Sequence, residues 1–120
     1  MASLVMETDP RDAKLPTARS LRLRVILKKD GEWWVARCLE HDIAVQARDL
    51  DQLQYDLGRV LLSHVLFDIQ NDRPPFHSIP HAPAELDQQW SSGLVVVLES
   101  PRFSTDTPLP RIQYDARIVS

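Results

Sequence analysis

A chain of 120 residues is long enough for one domain and too short for two ordinary ones. Its 43% hydrophobic and 26% charged residues are ordinary for a globular protein, and its formal net charge of −3 argues against a dedicated nucleic-acid binder. The single cysteine, Cys38, excludes an intrachain disulfide. No apolar run approaches the roughly 20 residues of a membrane span, and the N-terminus lacks the apolar core of a signal peptide, so a cytoplasmic protein is expected.

The chain divides into a short arm and one domain. Residues 1–18 contain two prolines and mixed charges without periodicity, which predicts a flexible N-terminal arm. A single domain is predicted at residues 19–120. Its parts are a core at residues 20–70, a Pro-rich loop at 71–83 and C-terminal strands at 94–99 and 111–119.

The core begins with a hairpin. From Leu21 onward apolar and basic residues alternate, which is typical of a half-buried strand. Asp30-Gly31 predicts a two-residue turn, because both central positions of such a turn need positive φ. A nearly continuous apolar strand follows as far as Leu39, and a third, shorter strand is predicted at residues 43–47.

A long amphipathic helix is predicted after the third strand. Asp49 is placed as its N-cap, and Gln52 completes a pair that resembles a capping box. Apolar residues at helical spacing form a stripe against the sheet. A second group of apolar residues widens this stripe to an apolar arc that is broader than one small sheet covers. We expect either another subunit or the chain's own C-terminal segment to shield the wider arc. Gly58 indicates close packing, since Gly inside a helix costs about 1 kcal/mol relative to Ala.

The second half of the domain is rich in proline. The prolines of residues 71–83 predict an extended loop, and a short helix is predicted at 83–90. The last strand follows a Pro-rich connector, so it is expected to join either its own sheet or that of a neighbouring subunit. The fold class is therefore α+β, a mainly antiparallel sheet with one main helix packed on one face and an extra C-terminal strand.

Three motifs between residues 31 and 65 carry a family resemblance. A Gly precedes aromatic residues and a short apolar stretch, then a loop leads into a short strand, and a third segment opens the helix. In this chain they are Gly31-Glu32-Trp33-Trp34-Val35-Ala36, His41-Asp42-Ile43-Ala44-Val45 and Gln46-Ala47-Arg48-Asp49-Leu50-Asp51-Gln52-Leu53. In these motifs the chain resembles the HicB family, the antitoxin half of HicA–HicB toxin–antitoxin pairs. The resemblance implies a partial ribonuclease-H-like β-β-β-α-β core, in which residues 94–99 form the next strand.

The chain departs from that family in two places. Ala47-Arg48 replaces the usual Gly-Asp at the entry to the helix, and residues 94–120 have strand patterns with no basic recognition helix. The chain is therefore similar to a stand-alone HicB protein without a DNA-binding C-terminal domain. The resemblance implies a non-enzymatic antitoxin that binds and masks a small basic HicA-like toxin. An orphan homodimeric domain with no toxin partner is an alternative, and a homodimer or higher oligomer is expected in both cases.

A basic strand face supports a further alternative, an RNA-binding module. Residues 1–30 hold seven Lys or Arg and four Asp or Glu, whereas residues 31–120 hold seven and thirteen. Two consecutive tryptophans in a strand face opposite ways, so one of them is expected to be exposed for a base or a protein partner. The predicted interaction residues are Arg22, Arg24, Lys28, Trp33 and Trp34.

No group of residues predicts catalysis, and neither a metal nor a cofactor is expected. Glu40 and Asp42 are too few for the chemistry of a two-metal nuclease. His41 is adjacent to Asp42 in sequence, but neighbouring residues seldom face each other productively, and no nucleophile stands beside them. His77 and His81 have the spacing of metal ligands on a helix, but Pro80 between them opposes that helix.

Overall fold

The computed structural model of the chain describes residues 20–102 and 109–120, so the arm predicted for residues 1–18 lies outside the described residues. The strands form one five-stranded sheet in the order β3-β2-β1-β5-β4, and this sheet with its main helix confirms the predicted α+β class. In chain order the elements are β1 (Ser20–Asp30), β2 (Trp33–Cys38), β3 (Ala44–Ala47), α1 (Leu50–Gln70), α2 (Glu85–Ser92), β4 (Leu94–Val96) and β5 (Arg111–Val119).

The first three strands are consecutive antiparallel neighbours, as the sequence predicts. β1 pairs with β2 from the Val25–Cys38 pair to the Asp30–Trp33 pair next to the turn, and β2 pairs with β3. The hairpin turn lies at Gly31-Glu32, one residue later than the predicted Asp30-Gly31, because Asp30 still pairs with Trp33 in the sheet. Of the two predicted turn residues Gly31 alone has a positive φ, 62°, which Gly adopts without a steric cost. The short β3 forms one edge of the sheet.

The prediction of an antiparallel sheet is wrong at the last strand. β5 runs parallel to β1 from the Ser20–Arg111 pair to the Lys28–Val119 pair. Parallel neighbours need a long crossover connection, which the helices and the chain between them supply here. The sheet is therefore mixed. The alternating pattern at residues 111–119 does predict the strand itself, with the bounds that the structure has.

The strand predicted at residues 94–99 is shorter than expected and lies at an edge of the sheet. β4 ends at Val96, and it pairs antiparallel with β5 at the outer edge of the sheet. The position beside β1 belongs to β5, whose length matches nine residues of β1. β4 stops early because residues 97–102, here called the crossing segment, leave the sheet and run over α1, where Pro101 lies against Gly58. The chain's own segment thus lies over the side of α1 that carries Gln54 and Gly58.

The main core lies between α1 and one face of the sheet. Leu53, Leu57, Leu61 and Val65 of α1 are all buried, as the helical spacing predicts. They pack on the odd-numbered residues of β1 and on their neighbours in β2 and β5. Each such side chain contributes roughly 1.5–3 kcal/mol through burial. Cys38 belongs to this core, and burial raises the pKa of its thiol to about 12, which keeps the thiol protonated and inert.

The opposite face of the sheet is covered in part by α2. This helix packs on β1 and β5, where Trp90 donates its indole N–H to the carbonyl of Asp115 at 2.9 Å. The guanidinium of Arg117 lies 4.0 Å from the centre of the Trp90 ring, and that of Arg24 lies 5.3 Å away. The helix predicted at residues 83–90 is thus present, two residues further along the chain at each end.

Candidate functional site

A groove lies between the edge strand β3 and α1. It is open to solvent and has a volume of about 820 Å³. Val45 of β3 and Val60 and Phe67 of α1 supply apolar lining, and Arg73 and Ser78 of the loop after α1 complete it. The groove therefore has a strand edge, a helix and a loop as its three walls.

The helix wall is positioned by its N-cap. Asp49 has an extended backbone, and its side chain accepts a hydrogen bond from the backbone N–H of Gln52 at 2.8 Å, which confirms the predicted N-cap. The Gln52 side chain donates to Asp56 at 2.8 Å instead of completing a capping box. With only Arg48 between β3 and this cap, the strand and the helix are held close together. The side of α1 that carries Val60 and Phe67 then faces the groove.

The loop wall is anchored by a residue that sequence reasoning missed. Residues 71–83 contain neither helix nor strand, as predicted, but Phe76 is only 1% exposed. Its ring stacks on His41 at 4.8 Å, and its backbone N–H donates to the buried carboxylate of Asp68 at 2.8 Å. Asp68 was detectable in the sequence, because it continues the buried stripe of α1 at helical spacing from Leu61 and Val65.

Two arginines of the groove are also absent from the predicted interaction residues. The guanidinium of Arg59 lies 5.7 Å from the centre of the Tyr55 ring, and that of Arg73 lies 5.5 Å from the centre of the Phe67 ring. Within residues 20–102 and 109–120 neither forms an ion pair. Asp56 and Asp68 also line the groove, so its two carboxylates and two guanidinium groups balance in charge.

The predicted interaction residues do not form one surface. Alternation along the strands places Arg22, Arg24, Lys28 and Trp33 on the face opposite α1, whereas Trp34 lies on the α1 face and is half-buried. Trp33 is partly exposed, with the guanidinium of Arg48 4.9 Å from its ring centre. Lys28 is exposed.

Arg22 and Arg24 are engaged in ion pairs within the chain. Arg22 pairs with Asp115 at 3.0 Å on the surface. Arg24 donates its Nε–H to Glu40 at 2.6 Å and lies 2.8 Å from Asp87 of α2, so it joins three parts of the chain. The hydrogen bond that Arg24 donates to Glu40 raises the pKa of the Arg24 guanidinium above its usual value. The positive charge of both arginines is largely compensated.

The two acids considered for nuclease chemistry have structural partners. Glu40 accepts the backbone N–H of Arg24 at 2.8 Å in addition to its side chain. Asp42 receives two hydrogen bonds from Arg37, at 2.8 and 2.9 Å, and these lower the pKa of its carboxyl. Within the described ranges no three His, Cys, Asp or Glu side chains are grouped to hold a metal ion.

Arg24→Ala is expected to lower the free energy of unfolding by about 1–3 kcal/mol, because Glu40 and Asp87 lose their shared cation in a half-buried site. Arg22→Ala, the matched control on the same strand face, is expected to cost about 0.5 kcal/mol or less, since its ion pair is exposed. Urea denaturation of both variants measures the difference. Equal losses would contradict the internal role of Arg24.

None of the helices in residues 20–102 and 109–120 combines the length and apolar character needed to cross a membrane. Comparison of the chain with family models, curated proteins and solved structures found no match.

Proposed function

We propose that the chain is a non-enzymatic interaction protein of the HicB type, which binds and masks a small basic toxin-like protein. The observation that carries this proposal is the edge of β3 beside the groove. Among the described strands β3 has a neighbour on one side only, so its outer backbone groups are available to a further strand. An extended segment of the partner would pair with β3 and place alternate side chains in the groove.

The order of elements supports the HicB type. Three antiparallel strands are followed by α1, in the β-β-β-α order that the resemblance implies. Residues 94–99, which the resemblance assigns to the next strand, form the short β4 at the outer edge, and the extra C-terminal strand β5 lies beside β1. Arginines hold Glu40 and Asp42 in structural contacts. This favours a role in binding over the nuclease chemistry for which these two acids were considered.

Charge supports a basic partner with an uncharged contact segment. The chain carries a net charge of −3, and a negative surface speeds association with a basic protein. The groove itself is balanced in charge and has Val45, Val60 and Phe67 as its apolar lining. A short extended apolar segment is therefore the part of the partner that the groove accepts.

Phe67→Ala is expected to weaken binding of the partner by at least about tenfold, because an exposed aromatic side chain at the centre of a contact commonly contributes 2 kcal/mol or more. The probe is the small basic protein encoded by an adjacent reading frame, titrated calorimetrically into the purified chain. Tyr55→Ala is the matched control: both rings are 56% exposed on α1, but Tyr55 does not line the groove.

Two outcomes would contradict this proposal in different ways. If no protein encoded by an adjacent reading frame binds the wild-type chain, the assigned function fails. If such a protein binds and Phe67→Ala has no more effect than Tyr55→Ala, the groove is not its site.

A further inference from the structure

The outer edge of β4 is the most exposed apolar surface of the described residues. Leu94 and Val95 are each 74% exposed, and Val97 is 89% exposed, more than any other large hydrophobic side chain in these parts of the chain. Within the sheet β4 pairs only with β5. Its outer backbone N–H and C=O groups therefore point away from the sheet beside a row of aliphatic side chains.

This edge lacks the features that usually keep an edge strand from pairing. Natural edge strands carry charged residues, prolines or bulges that oppose association. Residues 88–98 contain no charged residue and no proline. The other edge of the sheet differs, because β3 lies between Asp42 and Arg48 and beside the charged groups of the groove.

We propose that β4 pairs antiparallel with β4 of a second copy of this chain, about a twofold axis at Val95. The two five-stranded sheets then join into one continuous sheet. In this register Val95 faces Val95 of the partner copy, and Leu94 faces the partner's Val96. An antiparallel pair of identical strands is self-complementary, which is the requirement of a twofold interface.

The surroundings of β4 favour a second copy over a different protein. A shallow groove beside the start of β4 is lined by residues without charged side chains, namely Gln88, Gln89, Ser92, Leu94, Ile118, Val119 and Ser120. Two copies that each carry a net charge of −3 can approach here without like charges meeting at the contact. Arg117, the neighbour of Val95 on β5, is turned onto the Trp90 ring and donates to the carbonyls of Trp90 and Ser91, so its charge is directed away from this edge.

The interface is small, so the expected dimer is reversible, with a Kd on the order of micromolar. Analytical ultracentrifugation of the full chain from about 1 to about 200 µM is expected to show a monomer–dimer equilibrium, given such a Kd. Val95→Lys is expected to raise the Kd at least about 30-fold, because it places two ammonium groups face to face at the axis. Val95 is mostly exposed, and a thermal melt verifies that the variant is folded.

A charge-swap mixture tests the twofold register. Val95→Glu alone is also expected to be monomeric, whereas an equimolar mixture of Val95→Lys and Val95→Glu is expected to recover the dimer as a heterodimer. Val97→Lys is a second variant that places a charge at the same edge, at a position that is even more exposed. It is expected to weaken the dimer without a charge beside Arg117, which is the neighbour of Val95 on β5. Tyr55→Glu, away from this edge, is expected to leave the dimer intact.

A wild-type chain that stays monomeric at about 200 µM would overturn the proposal, because a micromolar Kd predicts mostly dimer there. So would a dimer that Val95→Lys and Val97→Lys leave unchanged, and a mixture that stays monomeric would overturn the pairing at Val95. The inference goes beyond the proposed function, since β3 and β4 are opposite edges of the sheet. Phe67→Ala is accordingly expected to leave the dimer unchanged.

Discussion

Phe76→Ala is expected to lower the free energy of unfolding by about 3–5 kcal/mol, as large-to-small changes of a fully buried aromatic side chain do. The ring is 1% exposed and fills the space between α1, His41 and the loop after the helix. Truncation therefore removes apolar contact and leaves a cavity where the loop is held. Urea denaturation measures the loss, provided that the slope of the unfolding free energy against urea concentration is the same in the wild type and the variant.

The backbone at Phe76 provides a sharper control. Its φ is 62°, a left-handed conformation that favours Gly over all other residues. In most loops a Gly variant is less stable than an Ala variant by about 0.5–1 kcal/mol, because Gly has more freedom in the unfolded chain. Here Phe76→Gly is expected to be at least as stable as Phe76→Ala. A loss below about 1 kcal/mol for Phe76→Ala would contradict the anchoring role of the ring.

The same residue connects the stability of the fold to the groove. Arg73 and Ser78 belong to the loop that Phe76 fixes, and both line the groove. The loop is also held at its far end, where Asp42 donates its backbone N–H to Pro80 at 2.7 Å and Ala82 donates to Leu39 at 2.8 Å. Loss of the ring is therefore expected to disturb one wall of the groove while β3 and α1 stay in place.

The local elements could be predicted from sequence because short-range rules determine them. Gly31 supplies a positive φ at the hairpin turn, Asp49 satisfies a free N–H at the start of α1, and residues 111–119 alternate strictly. Each signal lies within a few residues of the feature that it predicts. The cap and the strand bounds of β5 agree with the structure, whereas the turn lies one residue later than predicted, at Gly31-Glu32.

The arrangement of the elements could not be predicted in the same way, because it depends on contacts distant in sequence. Alternation gives a strand two faces but does not say whether β5 runs parallel or antiparallel to β1. Arg22 and Arg24 look like a free basic patch until Asp115 and Asp87, more than 60 residues away, are placed beside them. Phe76 stands among prolines and polar residues, with no periodicity to mark it as buried.

Gly58→Ala tests the packing of the crossing segment, and two opposing effects determine its sign. Ala inside an exposed helix stabilises it by about 1 kcal/mol over Gly. At Gly58, however, a Cβ would lie 2.8 Å from the Cβ of Pro101, and the rigid ring cannot turn aside. Such overpacking costs typically 1–3 kcal/mol, so the variant is expected to be less stable than the wild type by up to about 2 kcal/mol.

A double-mutant cycle with Pro101 separates the two effects. Pro101→Gly removes the opposing Cβ, so in that background Gly58→Ala is expected to stabilise the fold by about 1 kcal/mol, which is the ordinary helix preference. The reversal of sign, measured by urea denaturation of the four chains, gives a coupling of about 1–3 kcal/mol. If Gly58→Ala instead stabilises the wild-type chain, the crossing segment does not rest on α1 in solution. The hydrogen bond from the Glu99 N–H to Gln54, at 3.0 Å, would then be lost as well.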